Sequence, residues 1–133
     1  MNKRVLISFL SLFLIKLLVN GQVVTTSPAS FVESDLVTLT FDATQGDAGL
    51  KDYAGDVYAH IGVITNLSSS NSDWKYVKAA WSSNTASCKC VRQAANSYLL
   101  TLTPDVRAYF GVPQGESIYK IALVFRSSDG TKT

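Results

Sequence analysis

Short runs of alternating apolar and polar residues, separated by turn-rich pieces, recur along the chain from residue 36 onward. The clearest are "LVTLTF" (36–41), "DVYAHIGVI" (56–64), "WKYVKAAW" (74–81), "SYLLTLTP" (97–104) and "SIYKIALVF" (117–125). A period of two predicts half-buried strands, and no stretch has the 3.6-residue period of a long amphipathic helix. Many short strands joined by turns predict an all-β protein, an antiparallel β-sandwich.

Two shorter pieces punctuate the strands near the end of the chain. "TPDVRAYFGVP" (103–113) predicts one helical turn, with Thr103 as the N-cap candidate, a proline in the first turn and Gly111 at its end. "SSDGTKT" (127–133) carries an Asp-Gly signal, which predicts a hairpin after the strand 117–125. Only three residues remain to form its second strand. We therefore expect a sandwich without its last strand, from the N-terminal part of a longer protein.

The first 21 residues have the three-part pattern of a secretory signal peptide. A basic "MNKR" precedes an apolar run of eleven residues, and small or tolerated residues follow at Val19 and Gly21, before Gln22. A membrane helix needs about 20 apolar residues, and Lys16 interrupts this run. We therefore expect cleavage near Gly21, export to the outside of the cell or its surface, and a single domain over residues 22–133.

Loss of the signal changes the charge balance. Removing Lys3, Arg4 and Lys16 from the 12 basic residues leaves nine, against 10 acidic residues. The mature chain is thus close to neutral, with no basic run typical of nucleic-acid binding.

Catalysis by this segment is not indicated. His60 is the only histidine, and no G-x-S-x-G elbow, P-loop or G-x-G-x-x-G motif is present. The acids Asp42, Asp47, Asp52 and Asp56 offer oxygen ligands for calcium, but they lack the ordered spacing of a calcium loop. Solvated loop acids are the favoured interpretation, and we expect no cofactor.

Both cysteines, Cys88 and Cys90, lie in "SCKC". A bridge between them would close an unusually small, strained ring. We expect free thiols on a surface strand.

The strand 56–64 has an unusual second face. Val57, Ala59 and Ile61 form an apolar row, whereas Tyr58 and His60 alternate on the opposite side, where a solvent-facing strand usually carries simple polar residues. Flat side chains with polar edges suit sugar rings, which stack on aromatic faces while their hydroxyls form hydrogen bonds. The pattern predicts an outward pair that binds carbohydrate. The alternative is that the aromatic residues are simply part of the core, which would give a similar sequence pattern.

At these residues the sequence resembles a known group of modules. "VYAHIGVI" followed by "DWKYV" is similar to the signature of starch-binding β-sandwich modules of carbohydrate-binding families 25 and 26. Residues 36–132 also resemble the N-terminal immunoglobulin-like modules of secreted Bacteroidetes α-amylase-type proteins. The eight-residue loop 66–73 is longer than in the compact starch-binding motif, which leaves the position of Trp74 open.

The resemblance implies a non-catalytic module that binds α-glucan and is joined to a glycoside hydrolase domain. Its platform would consist of Tyr58, His60 and Trp74. Lys75, Tyr76 and Trp81 are further binding candidates as neighbours of that platform. The alternative is a structural immunoglobulin-like spacer or interaction domain in which Trp74 packs inward and no sugar binds.

Overall fold

A computed structural model describes residues 21–133, where six strands form two antiparallel sheets. The predicted signal segment lies, but for its last residue, outside the described residues. The strands are β1 (Val24–Ser27), β2 (Val37–Asp42), β3 (Val57–Thr65), β4 (Val91–Ala94), β5 (Ser97–Leu102) and β6 (Ile118–Ser127). A 3₁₀ turn spans Ala86–Cys88, and the helix α1 spans Val106–Phe110. No helix in the part of the chain that the structure describes is long and apolar enough to span a bilayer.

The strand order confirms the predicted sandwich class. One sheet has the order β1-β2-β5-β4, and the other pairs β3 with β6. In the lettering of immunoglobulin domains these are the ABED sheet and the C and F strands of the CFG sheet. Residues 21–133 contain no strand in the G position, so β6 is paired along one edge only.

Alternating burial explains how β2 and β5, the two central strands of the larger sheet, form one wall of the core. In β2 the side chains of Val37, Leu39 and Phe41 are buried, while the threonines between them are partly exposed. β5 buries Tyr98 and the leucines on the same side. This is the period-two pattern of a sheet with one face toward a core.

β3 departs from that pattern because both of its faces are covered. Val57, Ala59, Ile61 and Val63 are at most 2% exposed and face the core, as predicted. The opposite face is not an open solvent face, since Tyr58 is only 7% exposed. The expected outward pair is therefore wrong for Tyr58, because the guanidinium of Arg126 lies over its ring.

Aromatic stacking joins the two sheets through the core. The ring of Phe41 on β2 stacks on that of Phe125 on β6, with centroids 4.2 Å apart and planes inclined by 12°. Tyr98 on β5, the cross-strand neighbour of Phe41, also stacks on its ring at 5.9 Å. Stacked rings add to the stabilisation that burial of their area already gives.

The predicted helical turn and hairpin turn both form. The helix begins at Val106 with Asp105 as its N-cap, not Thr103, because the Asp105 carboxylate accepts a hydrogen bond from the backbone N–H of Ala108 at 2.7 Å. Gly111 ends it with φ of 72°. In the hairpin turn Gly130 also has φ of 72°, and Ser127 N–H donates to the carbonyl of Lys132.

The two cysteines are free but buried, which corrects the expected surface position. Cys88 is 1% and Cys90 5% exposed, within the main core cluster. Cys88 ends the 3₁₀ turn, and Cys90 follows two residues later, where its N–H donates to the carbonyl of Val57 on β3. Both therefore enter the core, whereas the sequence predicts an exposed strand. Burial, and secondarily the neighbouring Cys88, raises the pKa of Cys90 to about 12, so this thiol is protonated at neutral pH.

Replacing Phe125 by alanine tests the contact between the sheets. We expect Phe125→Ala to lower the free energy of unfolding by about 3–5 kcal/mol, because the change removes a buried aromatic ring. Val91→Ala, at a 66% exposed position of β4, is the control and should change it by less than about 0.5 kcal/mol. Urea unfolding followed by circular dichroism measures both. Equal effects of the two variants would contradict this account of the core.

Candidate functional site

The segment 74–81, which we name the covering segment, lies against the free edge of β3. The sequence predicts a strand here, but the segment makes only one isolated bridge, between Lys75 and Val63. Lys75 and Val63 exchange backbone hydrogen bonds of 2.7 and 2.9 Å, and Lys78 N–H donates to Ile61 at 2.9 Å. Tyr76 has φ of 51°, a left-handed conformation that interrupts extended pairing.

Gly62 allows the covering segment to pass close to β3. A Cβ atom at this position would lie 3.0 Å from the carbonyl oxygen of Lys75 and 3.0 Å from the side chain of Val77. Because one obstacle is backbone, a larger residue at position 62 would push the segment away from the strand.

The covering segment brings both tryptophans of the chain to His60. The Trp74 ring stacks on the imidazole with centroids 5.7 Å apart and planes inclined by 30°. The Trp81 ring meets the imidazole edge-on, at 5.3 Å and 69°. Trp74 Nε1 donates to the carbonyl of Asn71 at 3.2 Å, so the loop 66–73 holds the indole at the platform. The longer loop thus does not displace Trp74.

The two indoles are not coplanar. Since their planes are inclined by 30° and 69° to the same imidazole, they differ from each other by at least the 39° between those values. Trp81 is 40% exposed, and Trp74 and His60 are partly exposed. The three rings, which we name the aromatic cluster, therefore offer a twisted surface rather than a flat one.

Tyr58 does not belong to this surface. Its ring lies beneath the guanidinium of Arg126, whose Cζ is 5.4 Å from the ring centroid, and Arg126 is itself only 2% exposed. The exposed aromatic neighbour of His60 is Trp81, whereas the sequence predicted Tyr58 in that role. The aromatic cluster thus contains two of the three predicted platform residues and one of the three predicted neighbours.

Tyr76 and Lys75 contact acidic residues outside the aromatic cluster. The Tyr76 hydroxyl donates to Glu116 Oε2 at 2.5 Å, and the Thr65 hydroxyl donates to Glu116 Oε1 at 2.5 Å. Lys75 forms an ion pair with Asp73 at 3.0 Å. The Tyr76 hydroxyl is thus engaged with Glu116, and through Glu116 it links the covering segment to the end of β3.

Arg126 is a site residue that sequence reasoning missed. Its Cζ lies 5.8 Å from the Trp81 ring, and its Nη atoms donate to Asn84 Oδ1 at 3.0 Å and to the carbonyl of Ser83 at 2.6 Å. These bonds hold the residues that follow Trp81. The available signal was an arginine inside the apolar run "IALVFRS", since a buried charge needs dedicated partners.

The acidic loop residues proposed for calcium mostly have protein partners. Asp42 accepts hydrogen bonds from the backbone and hydroxyl of Thr44, and Asp56 pairs with Lys89 at 2.8 Å. Asp52 accepts a hydrogen bond from the side-chain amide of Asn96. Within residues 21–133 no three His, Cys, Asp or Glu side chains are grouped so that they could hold a metal ion.

Acid should loosen the covering segment through Glu116. Hydrogen bonds from Thr65 and then Tyr76 lower the pKa of Glu116 below its ordinary value of 4.5 in the folded protein. A lowered folded-state pKa adds stability that is present above pH 4.5 and lost as pH falls through the folded-state pKa. We expect the difference in urea midpoint between the wild type and Glu116→Gln to shrink below pH 4.5. A difference that stays constant from pH 7 to pH 3 would contradict this role.

Comparison with known proteins gives a family but no activity. No curated protein is significantly similar to the chain. Residues 24–133 match a family described as a domain of unknown function, DUF8578. The match begins at the first residue of β1 and includes the aromatic cluster, the covering segment and every strand described above. The chain therefore belongs to the DUF8578 family.

Proposed function

We propose that the protein is a non-catalytic module that binds α-glucan on the aromatic cluster of Trp74, His60 and Trp81. The observation that carries the proposal is the grouping of these three rings at the surface, with both indoles in contact with one imidazole. Aromatic faces stack on the C–H faces of sugars, and the imidazole offers a hydrogen bond at their edge. The likeness of "VYAHIGVI" and "DWKYV" to starch-binding modules supports the same ligand class.

The inclination of the indoles favours an α-linked glucan. Chains of α-1,4-linked glucose coil, so that successive rings present faces at an angle, whereas β-1,4-linked chains are flat ribbons. Indole planes that differ by at least 39° match the coiled chain better than the flat one. The twist thus supports starch-type polymers over cellulose-type polymers as ligands.

Two or three stacking contacts imply weak binding. With stacking worth roughly 1–3 kcal/mol per ring, by analogy with bases stacked on aromatic side chains, the site would bind with Kd of about 1 mM to 10 μM. Such affinity suits a module that keeps a linked glycoside hydrolase domain near a polymer with many sites. Once the module is bound, the hydrolase domain meets the same polymer in an intramolecular step. The proposed module works outside the cell, where it keeps the linked domain on the polysaccharide, and it catalyses no reaction.

Affinity electrophoresis in gels with and without amylopectin tests the proposal. We expect amylopectin to retard the wild type, and Trp74→Ala or Trp81→Ala to lower the affinity about 5- to 150-fold, the equivalent of roughly 1–3 kcal/mol per lost stack. Tyr119→Ala is the matched control, since Tyr119 is 64% exposed and lies outside the aromatic cluster. Hydroxyethylcellulose in place of amylopectin should give little retardation.

Circular dichroism of each variant separates lost binding from lost folding. A folded wild type that amylopectin does not retard would refute α-glucan binding and favour the spacer interpretation. Equal retardation in hydroxyethylcellulose would refute the argument from the inclined rings.

A further inference from the structure

Two buried nitrogen atoms beside the aromatic cluster have no hydrogen-bond partner among residues 21–133. They are Nδ1 of His60 and Nε of Arg126. Buried polar atoms are nearly always paired in folded proteins, so two orphans in one place call for an explanation. The other nitrogens of Arg126 are satisfied, because Nη1 and Nη2 donate to Asn84, Ser127 and Ser83.

The sheet register places the two residues beside each other. Tyr58 pairs with Arg126 and His60 pairs with Val124, so His60 and Arg126 are diagonal neighbours on the same face of the β3–β6 sheet. Such neighbours are about 7–8 Å apart, which long side chains can span. The Trp81 ring contacts both, at 5.3 Å from the imidazole centroid and 5.8 Å from the guanidinium carbon.

The chemistry of the two atoms is complementary. Arginine stays charged, so its Nε–H can only donate a hydrogen bond. A neutral imidazole has one nitrogen that donates and one that accepts, and the neighbour of one nitrogen decides which is which. A chain of hydrogen bonds that begins at the permanent donor Arg126 Nε–H and ends at His60 Nδ1 requires Nδ1 to accept, which places the imidazole proton on Nε2.

We propose that Arg126 is a positioning residue that holds His60 in the Nε2–H tautomer, through one ordered water between Arg126 Nε–H and His60 Nδ1. The two atoms make no direct hydrogen bond, and a bridging water is the usual link between polar groups at longer range. The water accepts from Arg126 and donates to His60, so both orphaned atoms gain a partner.

The tautomer gives His60 a defined role at the surface, a consequence that rests on the proposed α-glucan function. Of the two imidazole nitrogens only Nδ1 is among the buried unpaired atoms within residues 21–133, so Nε2 is the one that a ligand can reach. With its proton on Nε2, His60 donates a hydrogen bond to a hydroxyl or ring oxygen of the sugar. Trp74 and Trp81 stack on the sugar faces, and the imidazole fixes which edge of the ring faces the protein.

Nitrogen NMR of the single histidine measures the tautomer directly. In protein labelled with ¹⁵N-histidine, at a pH where the imidazole is neutral, we expect one tautomer, with a pyrrole-type Nε2 and a pyridine-type Nδ1. Arg126→Lys keeps the charge but removes the Nε–H, and should give a mixture of both tautomers. Lys120→Ala, which removes a positive charge from the same sheet face, is the matched control and should keep the single tautomer.

The outcomes separate this inference from the proposed function. A mixture in the wild type, or an unchanged single tautomer in folded Arg126→Lys, would overturn the role of Arg126. The wild-type spectrum tests the proposal even if the variant does not fold, because a mixture of tautomers there would overturn it. Addition of maltoheptaose should shift the Nε2 resonance, and Arg126→Lys should bind it about twofold more weakly, because only about half of its molecules then carry the proton on Nε2. A single tautomer that maltoheptaose leaves unshifted refutes the sugar contact but supports the positioning of His60.

Discussion

The close approach of the covering segment to β3 at Gly62 is the constraint on which the surface depends. Backbone hydrogen bonds at Val63 and Ile61 fix the segment, and the missing Cβ of Gly62 gives it room. Because of this contact one tryptophan stacks on His60 while the other meets it edge-on. The Tyr76–Glu116 hydrogen bond fixes the segment further, so the surface has an anchor separate from its binding side chains.

Much of the fold could be predicted from the sequence because β2, β3, β5 and β6 are short runs rich in apolar and β-branched residues, bounded by turn residues. Their observed bounds lie within two residues of the predicted ones. β1 and β4 were missed because neither has a buried apolar row, and β4 is exposed at every position. The alternating sequence of residues 74–81 predicts a strand, but Tyr76, with its left-handed backbone, turns the chain away from extended pairing.

The site was harder to predict because exposure there depends on contacts between distant residues. The alternation in β3 correctly placed Tyr58 and His60 on one face, but nothing local shows that Arg126 covers Tyr58. Likewise the inward turn of Cys88 follows from a 3₁₀ turn that the pattern of strands does not contain. Period and spacing identify which face a residue occupies, whereas its accessibility depends on which segment later packs over that face.

The grouping of aromatic residues also gives the molecule an optical property. The chain has two tryptophans and one histidine, and all three lie in the aromatic cluster. Emission excited at wavelengths that tyrosine does not absorb therefore comes from this surface alone. Any event that moves the covering segment or changes the solvent around it is visible in the intrinsic fluorescence of the unmodified protein, without an added label.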